Sequence, residues 1–204
     1  MGLCACRWGQ ACVAALLASA APLPGQVIEF RSSGMDYQVL TRRGLTVMCA
    51  EMPLKTARYA LVHVAVSNGS KRTWQVDTAS FAWQYDSGKQ VRAVAEQRVI
   101  DEFFRTARRA ELVKLQAAYE AAVYTNQYIR PNNSYEKRRL SALAIGPKGL
   151  KASAAAAAIT FVSGKVHPGD SIDGAIFFPI AGRSLGQGRI VAQIGGESFE
   201  FLAR

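Results

Sequence analysis

Apolar and polar residues alternate along most of the chain, and in one internal stretch the apolar positions recur instead every three or four residues. The first pattern predicts strands and the second predicts helices. From Val27 to Met52 three short strands are expected: Val27, Glu29 and Arg31 alternate with Ile28 and Phe30, and Tyr37–Leu40 and Leu45–Met52 follow. The breaks between them, Ser33-Gly34 and Arg42-Arg43-Gly44, are turn sequences. In the segment YALVHVAVSNGS, Val62, Val64 and Val66 fall on one face and Leu61, His63 and Ala65 on the other, with Asn68-Gly69-Ser70 as the turn. Trp74 to Tyr85 carries Trp74, Val76, Phe81, Trp83 and Tyr85, and Asp86-Ser87-Gly88-Lys89 turns it into Val91–Val94.

Near Ala95 the period changes. Ile100, Phe103, Phe104 and Ala107, then Leu112, Leu115, Tyr119, Ala122 and Val123, mark one long amphipathic helix or two in succession. Asn126 to Asn133 reads as a loop, and Asn133 with Glu136 three residues on can cap a further helix that stops before Gly146-Pro147. Ala152–Ala158 favours helix by propensity.

The β pattern then returns and is organised around VHPGDSIDGAIFFPIAG, residues 166–182. Pro168-Gly169 supplies a turn, after which Ile172, Gly174, Ile176 and Phe178 share one face and Asp173, Ala175 and Phe177 the other. Pro179 has no N–H and belongs at an edge or a strand end. The expected partner of this strand is Tyr59–Ser67. Arg189–Ile194, the turn Gly195-Gly196 and Glu197–Leu202 complete the chain as a hairpin with Phe199 and Phe201 on one face. Strands on both sides of the helical residues predict one antiparallel β-sandwich over residues 27–204, interrupted by a helical insertion at about 95–158.

The stretches VAVSNGSKRTWQVDTASF, DSGK and VHPGDSIDGAIFF resemble small exported bacterial immunoglobulin-like modules. Those modules share a strand ending in an Asn-x-Ser turn, a later Asp-x-Gly hairpin, and a Pro-Gly turn before a strand rich in glycine and phenylalanine. The likeness covers roughly residues 59–94 and 166–181. It implies an immunoglobulin-like sandwich and an accessory or binding role.

Composition changes the picture at the N-terminus. Arg7 precedes the apolar run Ala11–Ala20, which ends in Ala18-Ser19-Ala20, the small residues a signal peptidase admits, so residues 1–20 are expected to be a removed secretory signal. The run is shorter than the ~20 residues that span a bilayer, so no transmembrane anchor is expected after processing. Cleavage would remove Cys4, Cys6 and Cys12 and leave Cys49 as the one thiol, expected to be buried. Periplasmic or secreted location follows from this reading.

Charge points to the class of partner. The full chain has 25 Lys and Arg against 15 Asp and Glu, and residues 95–162 are basic in their own right, with eleven Lys and Arg against six Asp and Glu. An unknown protein or an anionic envelope component is the expected partner, reached through Lys137, Arg138 and Arg139; nucleic acid is not expected.

Catalytic chemistry is hard to assemble from these residues. The two histidines, His63 and His167, read as a surface or satisfied residue and a turn-flanking one, and no enzyme is predicted. Asp170 and Asp173 flank the organising strand without calcium-loop spacing, and no phosphate loop, dinucleotide fingerprint or zinc-ligand pair occurs, so no cofactor is expected. Met48, Cys49 and Met52, with His63, supply soft ligands suited to a periplasmic copper(I) carrier, which is the alternative reading. Strand alternation sets Met48 and Cys49 on opposite faces and counts against it.

Overall fold

The computed structural model describes residues 26–56, 58–106, 114, 116–121, 159–180 and 184–202. The chain starts with β1 (Ile28–Ser32), β2 (Met35–Arg42) and β3 (Leu45–Lys55), joined by two tight hairpins. Both hairpins turn with positive φ at the two central residues: Ser33 (52°) and Gly34 (77°), Arg43 (47°) and Gly44 (78°). That geometry matches the right-handed twist of the flanking strands. β3 bulges between Glu51 and Lys55, where Pro53 has no N–H to offer a neighbour.

β4 (Tyr59–Asn68) pairs antiparallel with β3 on one side and with β9 (Ser171–Pro179) on the other, as expected for the organising strand. The result is a five-stranded sheet in the order β1-β2-β3-β4-β9. The outer edge of β9 is occupied by chain: Phe161 N–H donates to Ala175 C=O (2.9 Å) and Val94 N–H to Phe177 C=O (2.8 Å).

A second antiparallel sheet runs β11-β10-β6-β7, built from β6 (Phe81–Tyr85), β7 (Gln90–Arg92), β10 (Gly188–Ile194) and β11 (Glu197–Leu202). The aromatic segment from Trp74 divides. β5 (Trp74–Val76) pairs with β8 (Gly164–Val166), a 3-10 turn at Thr78–Ser80 changes direction, and only β6 joins the second sheet. The apolar positions change phase across that turn, from Trp74 and Val76 to Phe81 and Trp83, which is the mark the break leaves in the sequence.

The two sheets share one core. Val47, Val62, Val64, Ile176 and Phe178 from the first meet Phe81, Trp83, Ile190, Phe199 and Phe201 from the second. Each side chain of this size contributes roughly 1.5–3 kcal/mol on burial. Gln38 ties the sheets at one edge, its amide donating to Leu202 C=O and accepting from Leu202 N–H, both at 2.8 Å, in place of a neighbouring strand.

A second apolar layer lies on the outer face of the five-stranded sheet. There Met35, Tyr37, Met52, Leu61 and Phe177 are covered by Val99 of α1 (Glu96–Thr106), by Tyr119 in the helical residues 116–121, and by Ile159. α1 therefore presents Val99, fully buried, where the apolar spacing pointed to Ile100, which is only half-buried. Tyr119 was expected in a core-facing stripe and is fully buried.

Gly174 leaves room for neighbouring backbone. A Cβ placed there would lie 2.4 Å from the Phe161 Cα and 2.5 Å from its N, because the Thr160–Phe161 backbone crosses directly over β9.

Candidate functional site

The outer face of β4 gathers the titratable chemistry. His63 lies opposite Ala50 on β3 and Ala175 on β9, so a large ring is flanked by two small neighbours. Aromatic rings close around it: Tyr37 at 6.0 Å and Tyr119 at 5.7 Å between centroids, both edge-on. The ring is fully buried, and among the described residues neither nitrogen has a hydrogen-bond partner. The expectation of a surface or satisfied histidine is thus corrected. Because the helical residues cover this face, alternation out of the inner core does not lead to solvent. Burial pushes the His63 pKa down to about 4, so the imidazole is neutral at ordinary pH. Asp173, 8 % exposed, shares this face on β9 beside Ala65.

Two carboxylates anchor the helical residues over that face. Glu96, in the first turn of α1, accepts from Thr78 Oγ1 (2.8 Å) and from the Ser163 N–H (3.3 Å), while Ser163 Oγ accepts from the Thr78 N–H (3.0 Å). One carboxylate therefore clasps the point where the helical residues leave the strands to the point where they return. Burial opposes its charge, but hydrogen bonds from its own backbone N–H, Thr78 and Ser163 outweigh that and hold the carboxyl below its usual range. Glu102, two turns along α1, accepts from the Tyr59 hydroxyl and from Arg58 Nη1 (2.6 Å) at the start of β4. The Tyr59 hydrogen bond, then Arg58, holds Glu102 low, while burial and then Glu102 push Tyr59 up to about 12.

Sequence reading singled out neither carboxylate. Glu96 carried a usable signal, an acid in the first turn of a predicted helix. Glu102 carried one only in hindsight of Val99, three residues before it on the same helix face.

The soft-ligand set does not converge. Cys49 lies in the core between the sheets, its thiol pushed up by burial, whereas Met48 and Met52 pack with the outer layer on the side of His63. Among the described residues no three of His, Cys, Asp and Glu gather as a metal-binding group. His167 is exposed, its Nδ1 3.2 Å from Thr73 Oγ1. Asp170 does turn work through its backbone, closing on His167 C=O and accepting from Asn68 N–H. Buried Asn68 binds the two turns together: its Nδ2 donates to Arg72 C=O and Val166 C=O, and its Oδ1 accepts from Ser70. Lys137, Arg138 and Arg139 lie outside the described residues.

A cleft of about 260 Å³ opens beside the β3 bulge, lined among others by Asp36, Gln38, Glu51, Met52, Pro53 and Leu202. Its charged lining is acidic, which suits no anion. No helix among the described residues is long and apolar enough to cross a membrane.

No protein-family model matches the chain, and no curated protein matches it. Among solved structures it is similar to the crystal structure of the yjhA protein from Bacillus subtilis, at 8% identity and a TM-score of 0.33 over 81% of this chain and 77% of that one. An overlap that loose supports no inference about fold or function. The chain is a mainly β protein of antiparallel sheets with a helical layer on one face.

Proposed function

We propose that the chain is an exported, envelope-associated binding or structural module on an immunoglobulin-like sandwich, not an enzyme, and that its basic helical residues meet an anionic envelope component. One observation carries the reading. The residues between β7 and β8 are anchored at both ends on the outer face of a rigid sheet, through Val99 and Ile159, and the stretch 95–162 has eleven Lys and Arg against six Asp and Glu. Long inserted segments held on a rigid scaffold commonly carry binding. The N-terminal pattern, with the apolar run Ala11–Ala20 ending in Ala18-Ser19-Ala20, supports export to the periplasm or beyond.

Co-sedimentation of protein lacking residues 1–20 with vesicles of anionic phospholipid, and separately with isolated wall polymers, tests the proposal. Binding is expected to one of them, to weaken as salt rises because exposed charges are screened within about 10 Å at 0.1 M, and to weaken on reversing Lys137, Arg138 and Arg139 to glutamate. Binding to neither, or binding indifferent to salt, would overturn it. The metal-handling alternative stands second, because Cys49 packs on the face opposite Met48, Met52 and His63.

A further inference from the structure

Three proton-accepting side chains hold α1 and residues 116–121 on the sheet, and they sit at three separate points. Glu96 clasps the root of the helical residues through Thr78 and Ser163. Glu102 struts α1 against Tyr59 and Arg58 at the start of β4. His63 forms the floor beneath Tyr119. Among the buried described residues the imidazole and carboxyl groups are those of His63 and Asp173, and both lie on the outer face. Among the described residues, the core between the sheets holds neither a histidine nor a carboxylate.

We propose that this interface is an acid-release device: protons on His63, Glu96 and Glu102 undock α1 and residues 116–121 from the five-stranded sheet while the two sheets stay together. The chemistry at each point has the same direction. Protonated Glu96 loses its charge-assisted hydrogen bonds from Thr78 and Ser163, and protonated Glu102 loses its ion pair with Arg58. A proton on His63 creates a cation among rings and apolar side chains with no hydrogen-bond partner, which favours opening to water.

The groups around His63 are those that would respond to its charge. Tyr37 faces it from β2 and Tyr119 from residues 116–121; Asp173 shares its face on β9, while Ala50, Met48 and Met52 on β3 bring no charge. On α1, Glu102 has Arg58 and Arg98 beside it, so its charge is met at its own end of the interface.

The direction with pH is the same for all three. His63 has a folded pKa of about 4 against 6.5, so the unfolded chain binds the extra proton between those values and the stabilisation present above 6.5 is lost as pH falls toward 4. Glu96 and Glu102, both held low, contribute above the ordinary carboxylate range and lose that contribution as pH falls through their folded values.

Hydrogen exchange of the full chain, read by mass spectrometry between about pH 7 and about pH 4 and corrected for intrinsic rates, tests the device. Peptides from α1 and residues 116–121 are expected to lose protection by at least about tenfold at a pH where β4 and β10 keep theirs. Simultaneous loss in helices and strands, or no loss at all, would overturn it. His63→Phe keeps an aromatic ring without a titrating nitrogen and should move the release midpoint down by about half a pH unit or more; an unmoved midpoint refutes the role of His63. Should that variant not fold, Glu102→Gln should raise α1 exchange at neutral pH with β4 and β10 unchanged, and unaltered α1 exchange would count against the device. None of these readouts needs a ligand, so failure here is distinct from failure of the anionic-surface reading.

Discussion

Val62, Val64 and Val66 on one face of β4 and Leu61 and His63 on the other are buried by different means. The valines pack sheet against sheet, in a core whose members are almost entirely hydrocarbon. Leu61 and His63 pack under helical residues, among tyrosines, methionines and a carboxylate. Alternation alone makes the two faces look equivalent. Their difference is one of conditional stability: hydrocarbon packing is indifferent to protons, whereas a layer held by Glu96, Glu102 and a neutral His63 depends on the protonation state of its anchors.

Adjacent residues of β9 allow the sharpest comparison. Phe178 lies in the inner core and Phe177 in the outer layer, both nearly inaccessible to solvent. Phe178→Ala should cost about 3–5 kcal/mol. Phe177→Ala should cost less, because helical residues can settle onto a truncated site more easily than two hydrogen-bonded sheets can. Urea midpoints measure both, and equal costs would show that the outer layer is as rigid a part of the core as the inner one.

Gly174→Val acts at the seam between the layers, where the backbone of Phe161 leaves no room for a Cβ. A loss of about 1–3 kcal/mol in denaturant unfolding is expected, and an unchanged midpoint would mean that residues 159–161 do not cross β9 as described. The smallest effect belongs to the strut. A double-mutant cycle of Tyr59→Phe and Glu102→Gln should show a coupling of about 1–2 kcal/mol at neutral pH. Since Glu102 is held low, that coupling should fade as pH drops through the carboxylate range, and a coupling that persists in acid would deny it an electrostatic origin.

Most of the strand framework is readable from local pattern. The hairpins at Ser33-Gly34 and Arg43-Gly44, the pairing of β4 with β9, and the face assignments along Ile172–Phe178 depend on turn chemistry and period 2, both local properties. What local pattern does not reveal is which element covers a given face. His63 alternates with apolar neighbours whether its side meets water or a helix, and only the packed arrangement sets Tyr119 over it. Glu96 and Thr78 are likewise ordinary polar residues until Ser163, far along the chain, arrives between them. The break at Thr78–Ser80, by contrast, is legible, since the apolar positions change phase there from Trp74 and Val76 to Phe81 and Trp83.

The Glu96 clasp has a consequence for how such a chain can vary. The polypeptide leaves the strands at Glu96 and returns at Ser163, where the two points are hydrogen-bonded to each other. Closing a loop whose ends already meet costs only about 0.6 kcal/mol more for each doubling of its length. The chain between Tyr119 and Ile159 can therefore change in length at small cost, whereas the residues that cover the sheet, Val99, Tyr119, Ile159 and Phe161, stay tied to its register.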